Sequence, residues 1–244
     1  MRFIADLHNH TLASVHAYSS VTECAREAAA KGLSILAITD HAPNLPDGVH
    51  ELHFMNYHVL DREMFGVRML YGAELNIGDY QGSVDLEEFI WKRMDLCIAS
   101  FHEFTLLPGS RAENTRAYLG AMQNPYVDII GHPDDGKIPV DFDALAREAK
   151  RMDVMLEVNN SSLKAAHYRL NTRENLTEML KMCEKYGILV SIGSDSHYHG
   201  AIGRLDEVSL LIDEVGFPDE LIVNTSKEKV LKQLGKKHPH LLEG

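Results

Sequence analysis

The sequence predicts a single α/β domain folded as a closed barrel of about seven strand–helix units, and three observations carry that expectation. Short apolar runs alternate with amphipathic stretches from one end of the chain to the other, the pattern of a parallel sheet covered by helices. About seven strand–helix units in 244 residues suit a closed barrel better than a small open sheet. No repeat, low-complexity segment or break in composition divides the chain, so one domain over residues 1–244 is expected.

The candidate strands are Phe3–Ala5, Ser34–Ile38, Met69–Gly72, Leu96–Ala99, Val127–Ile130, Val154–Val158 and Ile188–Ile192. Most are rich in Ile, Leu or Val, as strands buried on both faces must be. Leu221–Val223 is a candidate eighth. Helical patterns run over Thr22–Lys31, Leu86–Met94, Ala112–Asn124, Phe142–Arg151, Thr172–Tyr186, Leu205–Val215 and Ser226–Leu234. Thr22 is placed to cap the first and Gly32 to stop it; Asp141 and Gly187 play the same parts around later helices. Residues 235–244 are expected to form a surface tail.

Composition excludes several classes. No apolar run approaches the roughly 20 residues that span a bilayer, and MRFIADLHNH does not read as a signal peptide, so no membrane partner and a cytoplasmic location are expected. Cys24, Cys97 and Cys183 lie far apart, form no CxxC pair and are odd in number, which suits reduced, buried thiols. A formal net charge of −12 argues against general nucleic-acid binding. It does not argue against a small phosphorylated substrate, because bound metal ions can invert the local charge.

The chemistry lies in the residues just past the end of each apolar run. The first run leads to Asp6, His8 and His10; the second to Asp40 and His41; the third to Glu74; the fourth to His102; the fifth to His132; the last to Asp195 and His197. In a parallel barrel the C-terminal strand ends share one rim, where active sites are built. His8 with His10, and Asp195 with His197, are i and i+2 pairs that face the same way in extended chain. His16 stands farther along the loop leaving the first strand. Seven imidazoles and the carboxylates of Glu74 and Asp195 suit Zn, Mn, Fe or Co rather than Ca or Mg. Nine ligands exceed the needs of one ion; with Glu74 bridging, three ions would each take about three and keep open positions for water and substrate.

Three dications less two carboxylates leave a pocket of about +4 that demands an anion. A phosphate ester attacked by a metal-bound hydroxide fits it, and no serine or cysteine nucleophile is required. No P-loop, GxSxG elbow or Rossmann glycine pattern is present.

These residues together resemble the polymerase-and-histidinol-phosphatase (PHP) family through DLHNH at Asp6–His10, TDH at Thr39–His41, AE at Ala73–Glu74, FHE at Phe101–Glu103, GHP at Gly131–Pro133 and SDSH at Ser194–His197. HAYS at His16–Ser19, HAP at His41–Pro43, HELHF at His50–Phe54 and NNSS at Asn159–Ser162 resemble its YcdX-like stand-alone phosphatase branch. The resemblance implies a distorted (β/α)7 barrel, TIM-like, with a trinuclear site, zinc first. It implies one ion on His8, His10, Glu74 and Asp195, a second on Glu74, His102 and His132, and a third on His16, His41 and His197. No family pattern carries over to Asp134–Pro139 or Leu163–Thr172, where substrate choice would reside.

Asn160 and Lys164, after the sixth strand, are candidate phosphate contacts; Arg111, Arg173 and Arg204 are weaker ones. Asp6 and Asp40 are expected to orient ligands. His50, His53 and His58 read as a lid or a solvated helix face, and His167, His238 and His240 as surface residues. The leading expectation is hydrolysis of small phosphorylated metabolites. The alternatives are a phosphodiesterase or 3′–5′ exonuclease, a histidinol phosphatase, and a non-catalytic metal-binding module. Related barrels often assemble, so a homo-oligomer is admitted.

Overall fold

The computed structural model describes residues 3–46, 48–164 and 169–242. Among the described residues eight strands form, of which seven make a parallel, nearly closed barrel: β1 Ala5–Asp6, β2 Ile35–Ile38, β4 Val67–Asn76, β5 Leu96–Ser100, β6 Ile129–Gly131, β7 Met155–Asn159 and β8 Val190–Gly193, paired in that order. The remaining strand, β3 Glu63–Met64, folds back antiparallel onto the start of β4. The helices are α1 Val21–Ala30, α2 Glu51–Met55, α3 Glu88–Trp91, α4 Arg111–Ala121, α5 Phe142–Met152, α6 Thr172–Tyr186, α7 Asp206–Val215 and α8 Lys227–Leu234. The expected (β/α)7 architecture is the observed one.

Strand periodicity sorts the core into two layers. Leu36, Ile38, Cys97 and Ala99 point outward into the layer under the helices. Ile35, Ala37, Leu70, Leu96, Ile98, Ile129 and Met155 point inward and fill the barrel. The barrel is narrow enough that an inward side chain is not tolerated everywhere. A Cβ on Gly193 would lie 2.4 Å from His8 Cβ and 2.5 Å from Glu157 Oε1.

The ring closes between β1 and β8 without a regular ladder. Toward the C-terminal rim, Leu7 N donates to Ile192 O (3.3 Å), Asp195 N to His8 O (2.9 Å) and His10 N to Ser196 O (2.8 Å). Below them the side chain of fully buried Asn224 fills the gap. Its Nδ2 donates to Ala5 O (2.9 Å) on β1 and to Ile192 O (2.8 Å) on β8, and its Oδ1 accepts from Ile192 N (2.8 Å). Leu221–Val223 is therefore not an eighth strand. Two 3-10 turns occupy that region, with a single parallel bridge between Val190 and Ile222.

Local signals hold in most places. Asp141 caps α5, and Gly187 ends α6 in the left-handed conformation. The cap of α1 is Ser20 rather than Thr22, because Ser20 and Glu23 form a reciprocal capping box. The stretch expected to be helical over Leu86–Met94 shrinks to the four residues of α3, since Leu86 takes a positive φ.

The expected surface tail is instead a plug. Pro239–Leu242 forms a 3-10 turn, and Leu241, 4% exposed, joins Val223, Val230 and Leu234 beneath the barrel interior. His238 is buried rather than a surface residue: its Nε2 meets Asp128 Oδ2 at 2.9 Å, and His240 Nε2 meets Asp95 Oδ1 at 2.8 Å. Those two carboxylates also accept the backbone N–H of Cys97 and Tyr71, so the tail histidines bind groups that already tie adjacent strands. His167 lies outside the described residues. Cys24, Cys97 and Cys183 are free and buried, and among the described residues no helix is long and apolar enough to cross a membrane.

Candidate metal centre

The rim at the C-terminal strand ends is where the sequence-selected residues meet. On β4, Glu74 shares the inward face with Leu70, so it lies within the strand rather than after it, and its carboxylate rises into the middle of the ring. Its Oε2 lies 3.4 Å from His8 Nε2, 3.5 Å from His10 Nε2 and 2.8 Å from His41 Nδ1. Its Oε1 lies 2.9 Å from His132 Nε2 and 3.2 Å from His102 Nε2. Asp195 Oδ1 approaches His10 Nε2 at 3.4 Å and His8 Nε2 at 3.9 Å. The His16 ring, more exposed, stacks on His41 and His197 with centroids 5.1 and 4.3 Å apart. All nine residues thus converge on one mouth.

A second set of polar groups aims the imidazoles. Glu157, buried on β7 on the same inward face as Met155, takes His8 Nδ1 at 2.7 Å through Oε1 and accepts His132 N at 2.8 Å through Oε2. With Nδ1 committed to that carboxylate, His8 turns Nε2 toward Glu74. Asn76 Oδ1 does the same for His102 Nδ1 at 2.7 Å, and the Asn76 amide is fixed in turn by Asp85 Oδ2 at 2.8 Å. The sequence reading missed Glu157, although an acid at an inward position of the apolar run VMLEVN is a legible signal. Asp6 and Asp40 fix loops rather than the converging imidazoles. Asp6 accepts from Ser194 N and Gly203 N, and Asp40 accepts from Thr11 N, Thr11 Oγ1 and Ser14 Oγ. His132 and Asp195 both take positive φ, 26° and 52°, which non-glycine residues seldom adopt and which turns their side chains over the mouth.

The electrostatics are those of a site built for cations. Burial would raise the Glu74 carboxyl, but His8, His102 and His41 outweigh it and hold it well below the usual carboxylate range. Burial would also raise Asp195, and His8, His10 and Arg169 reverse that. For His10, burial and the neighbouring His41 and His197 push the imidazole well down, so it stays neutral with its lone pair available. Seven buried atoms here make no well-formed hydrogen bond: His8 Nε2, both ring nitrogens of His10 and of His41, Glu74 Oε2 and His197 Nε2. Each such atom ordinarily costs about 1–3 kcal/mol. Each neutral imidazole offers one lone pair, so His8, His10, His41 and His197 with the Glu74 carboxylate bring five such donors to one pocket, a set that fits divalent cations. Three groupings have ligand atoms within 4.8 Å of one another: His10–His41–His197, His8–His10–Glu74 and His41–Glu74–His102.

The ring forms the floor of a cavity of about 590 Å³. The loops after β2, β5, β6 and β7 supply its walls, including Arg169 and Lys137. Arg169 Nη2 meets Asp195 Oδ2 at 3.2 Å, and Lys137 Nζ meets Glu103 Oε2 at 2.6 Å. Asn160 and Lys164, chosen from the sequence as phosphate contacts, do not line it. Asn160 is 2% exposed and its Oδ1 accepts from Val208 N, which ties the β7 exit to α7. Arg173 pairs with Glu214 and Arg111 with Val140 O, both away from this mouth. His53 reaches Asp40 Oδ2 at 3.3 Å and so packs against the loop beside the site.

The PHP domain model matches residues 6–170. A probable phosphatase of Clostridium novyi is 43% identical over 97% of this chain and 96% of its own length. A probable phosphatase of Acetivibrio thermocellus is 42% identical over 94% of each. Among solved structures, histidinol phosphate phosphatase from Lactococcus lactis, crystallised with zinc, L-histidinol and phosphate, superposes with a TM-score of 0.63 at 18% identity, covering 88% of this chain and 94% of that one.

Proposed function

The chain belongs to the PHP domain family, and on that premise we propose that it is a metal-dependent phosphatase hydrolysing small phosphate monoesters at a cluster of three divalent ions. The observation that carries this reading is the buried cluster of His8, His10, His41, His197 and Glu74, seven of whose side-chain atoms make no well-formed hydrogen bond. His8, His10, Glu74 and Asp195 would hold one ion, Glu74, His102 and His132 a second, and His16, His41 and His197 a third. The imidazole-rich donor set suits zinc, with manganese or iron as alternatives. When bound, the ions supply positive charge for phosphate oxygens and lower the pKa of water.

The chain's own groups do the rest. Glu157 and Asn76 fix which nitrogen of His8 and of His102 faces inward. Arg169 and Lys137 line the cavity wall, where they hold the Asp195 and Glu103 carboxylates. The names of the relatives support phosphatase chemistry, and buried, unpaired cysteines suit a cytoplasmic enzyme.

Elemental analysis coupled to a phosphate-release screen on the same sample tests the proposal. About three metal ions per chain, phosphate release from monoesters and its loss in Glu74→Ala are expected. Faster degradation of a single-stranded oligonucleotide would make the protein a phosphodiesterase. Full metal occupancy with no hydrolysis would make it a binding module.

A further inference from the structure

The cavity is two-sided. Its floor is the ring of ligating side chains, while Leu45, Pro46, Phe101, Phe104 and Ile138 supply the apolar part of the wall alongside Glu103, Asp135, Lys137 and Arg169. The wall is fixed to the floor by short stretches of chain. Leu45 comes soon after His41 in a turn held by Leu45 N to Ala42 O at 3.4 Å. Phe104 stands in a turn begun by His102, whose carbonyl accepts Thr105 N and Leu106 N, both at 3.0 Å. Ile138 closes a turn with Asp135 O at 2.8 Å on the loop leaving His132. Three loops that start at candidate ligands therefore each deliver an apolar side chain to the same space.

The charged groups beside this wall are matched with one another. Lys137 meets Glu103 at 2.6 Å and Asp135 at 3.9 Å, and Arg169 meets Asp195 at 3.2 Å. Phe104 is 81% exposed, an aromatic ring held at the mouth with most of its surface turned to solvent. Leu45, Phe101 and Ile138 are only 7%, 2% and 4% exposed, so an apolar alcohol seated here would chiefly remove the Phe104 ring from water, whereas a polyhydroxylated one would set hydroxyls against carbon.

We propose that the substrate's alcohol carries an apolar body, aromatic or branched aliphatic, that seats against Leu45, Pro46, Phe101, Phe104 and Ile138 while its phosphate faces the ring floor. The class is thus monoesters of apolar alcohols rather than sugar phosphates. This rests on the phosphatase reading above. Hydrolysis breaks the phosphate–alcohol ester with water, releasing inorganic phosphate and the alcohol.

Two primary alkyl esters, 3-phenylpropyl phosphate and glycerol 3-phosphate, separate the wall from leaving-group chemistry. With zinc-loaded protein, kcat/KM is expected to favour the phenylpropyl ester by about 30-fold, the order given by burying roughly one aromatic ring. That preference is expected to shrink by about 5-fold or more in Phe104→Ala and further in Phe104→Asp, substitutions at an exposed position where folding is not at stake. A ratio near one, or one unmoved by both substitutions, overturns the proposal. If neither ester is hydrolysed, the phosphatase reading fails, and calorimetry still decides the wall. Tighter binding of 3-phenylpropylphosphonate than of 2,3-dihydroxypropylphosphonate, weakened in Phe104→Ala, supports it. Equal affinities, or no binding of either, overturn it.

Discussion

Replacing Asn224 by alanine removes the side chain that closes the barrel below its rim. Three hydrogen bonds of 2.8–2.9 Å disappear from a fully buried position. Ile192 O keeps a second donor, Leu7 N at 3.3 Å, so the groups most exposed to loss are Ile192 N and Ala5 O. Buried groups stranded in this way cost about 1–3 kcal/mol each, which puts the destabilisation for the two at roughly 2–6 kcal/mol. Against the 5–15 kcal/mol typical of a whole domain, that is a large share. Asn224→Asp should cost at least as much, because it keeps one acceptor but sets a carboxylate oxygen against two carbonyls. Urea unfolding monitored by circular dichroism measures it, with the midpoint falling and the slope unchanged. The rim clips Asp195 N to His8 O and His10 N to Ser196 O survive, so zinc affinity of the folded variant should drop far less than its stability. A midpoint shift worth under about 1 kcal/mol would show that the rim clips alone close the ring.

The same geometry sets three further outcomes. Glu157→Gln keeps the shape but removes the charge that holds His8 Nδ1, and zinc affinity in a chelator competition should fall about 10- to 100-fold; an unchanged affinity would remove Glu157 from the site. Stripping metal with EDTA should lower Tm reversibly and zinc should restore it, because the buried lone pairs around Glu74 lose their partners; a Tm indifferent to both treatments would count against a metal centre. Burial pulls the His238 imidazole down, but its hydrogen bond and charge interaction with Asp128 prevail and hold its pKa above the ordinary value. The stability this pair adds is therefore complete below about pH 6.5 and lost as pH rises through the elevated pKa. The stability gap between the parent protein and His238→Gln should narrow on going from pH 6 to pH 9, and a gap that widened would contradict the pairing.

Much of this molecule was legible in its sequence, for identifiable reasons. Strands buried on both faces announce themselves as apolar runs, and the residues at their ends had only one rim to share, so His8, His41, His102, His132 and His197 could be brought together before any coordinates. Glu74 was selected although it lies inside β4, because the apolar run masked how far the strand continues. What stayed hidden depended on contacts distant in sequence. The tail looked polar, yet His238 finds Asp128, far back in the sequence, and Leu241 joins the apolar cluster at the foot of the barrel. Asn160 looked like a free amide after a strand, but Val208 N occupies it. Arg169 and Lys137 sit in loops whose course no periodicity dictates.

The three cysteines offer a use unconnected with chemistry at the rim. They sit in α1, β5 and α6, sectors well separated around the ring, and burial lifts the thiols of Cys24 and Cys183 to about 12 and that of Cys97 well above its ordinary value. An alkylating reagent can therefore react with each only when its own neighbourhood opens. The native chain carries three internal clocks, and reading their rates by mass spectrometry would reveal which arc of the ring loosens first, with no label introduced.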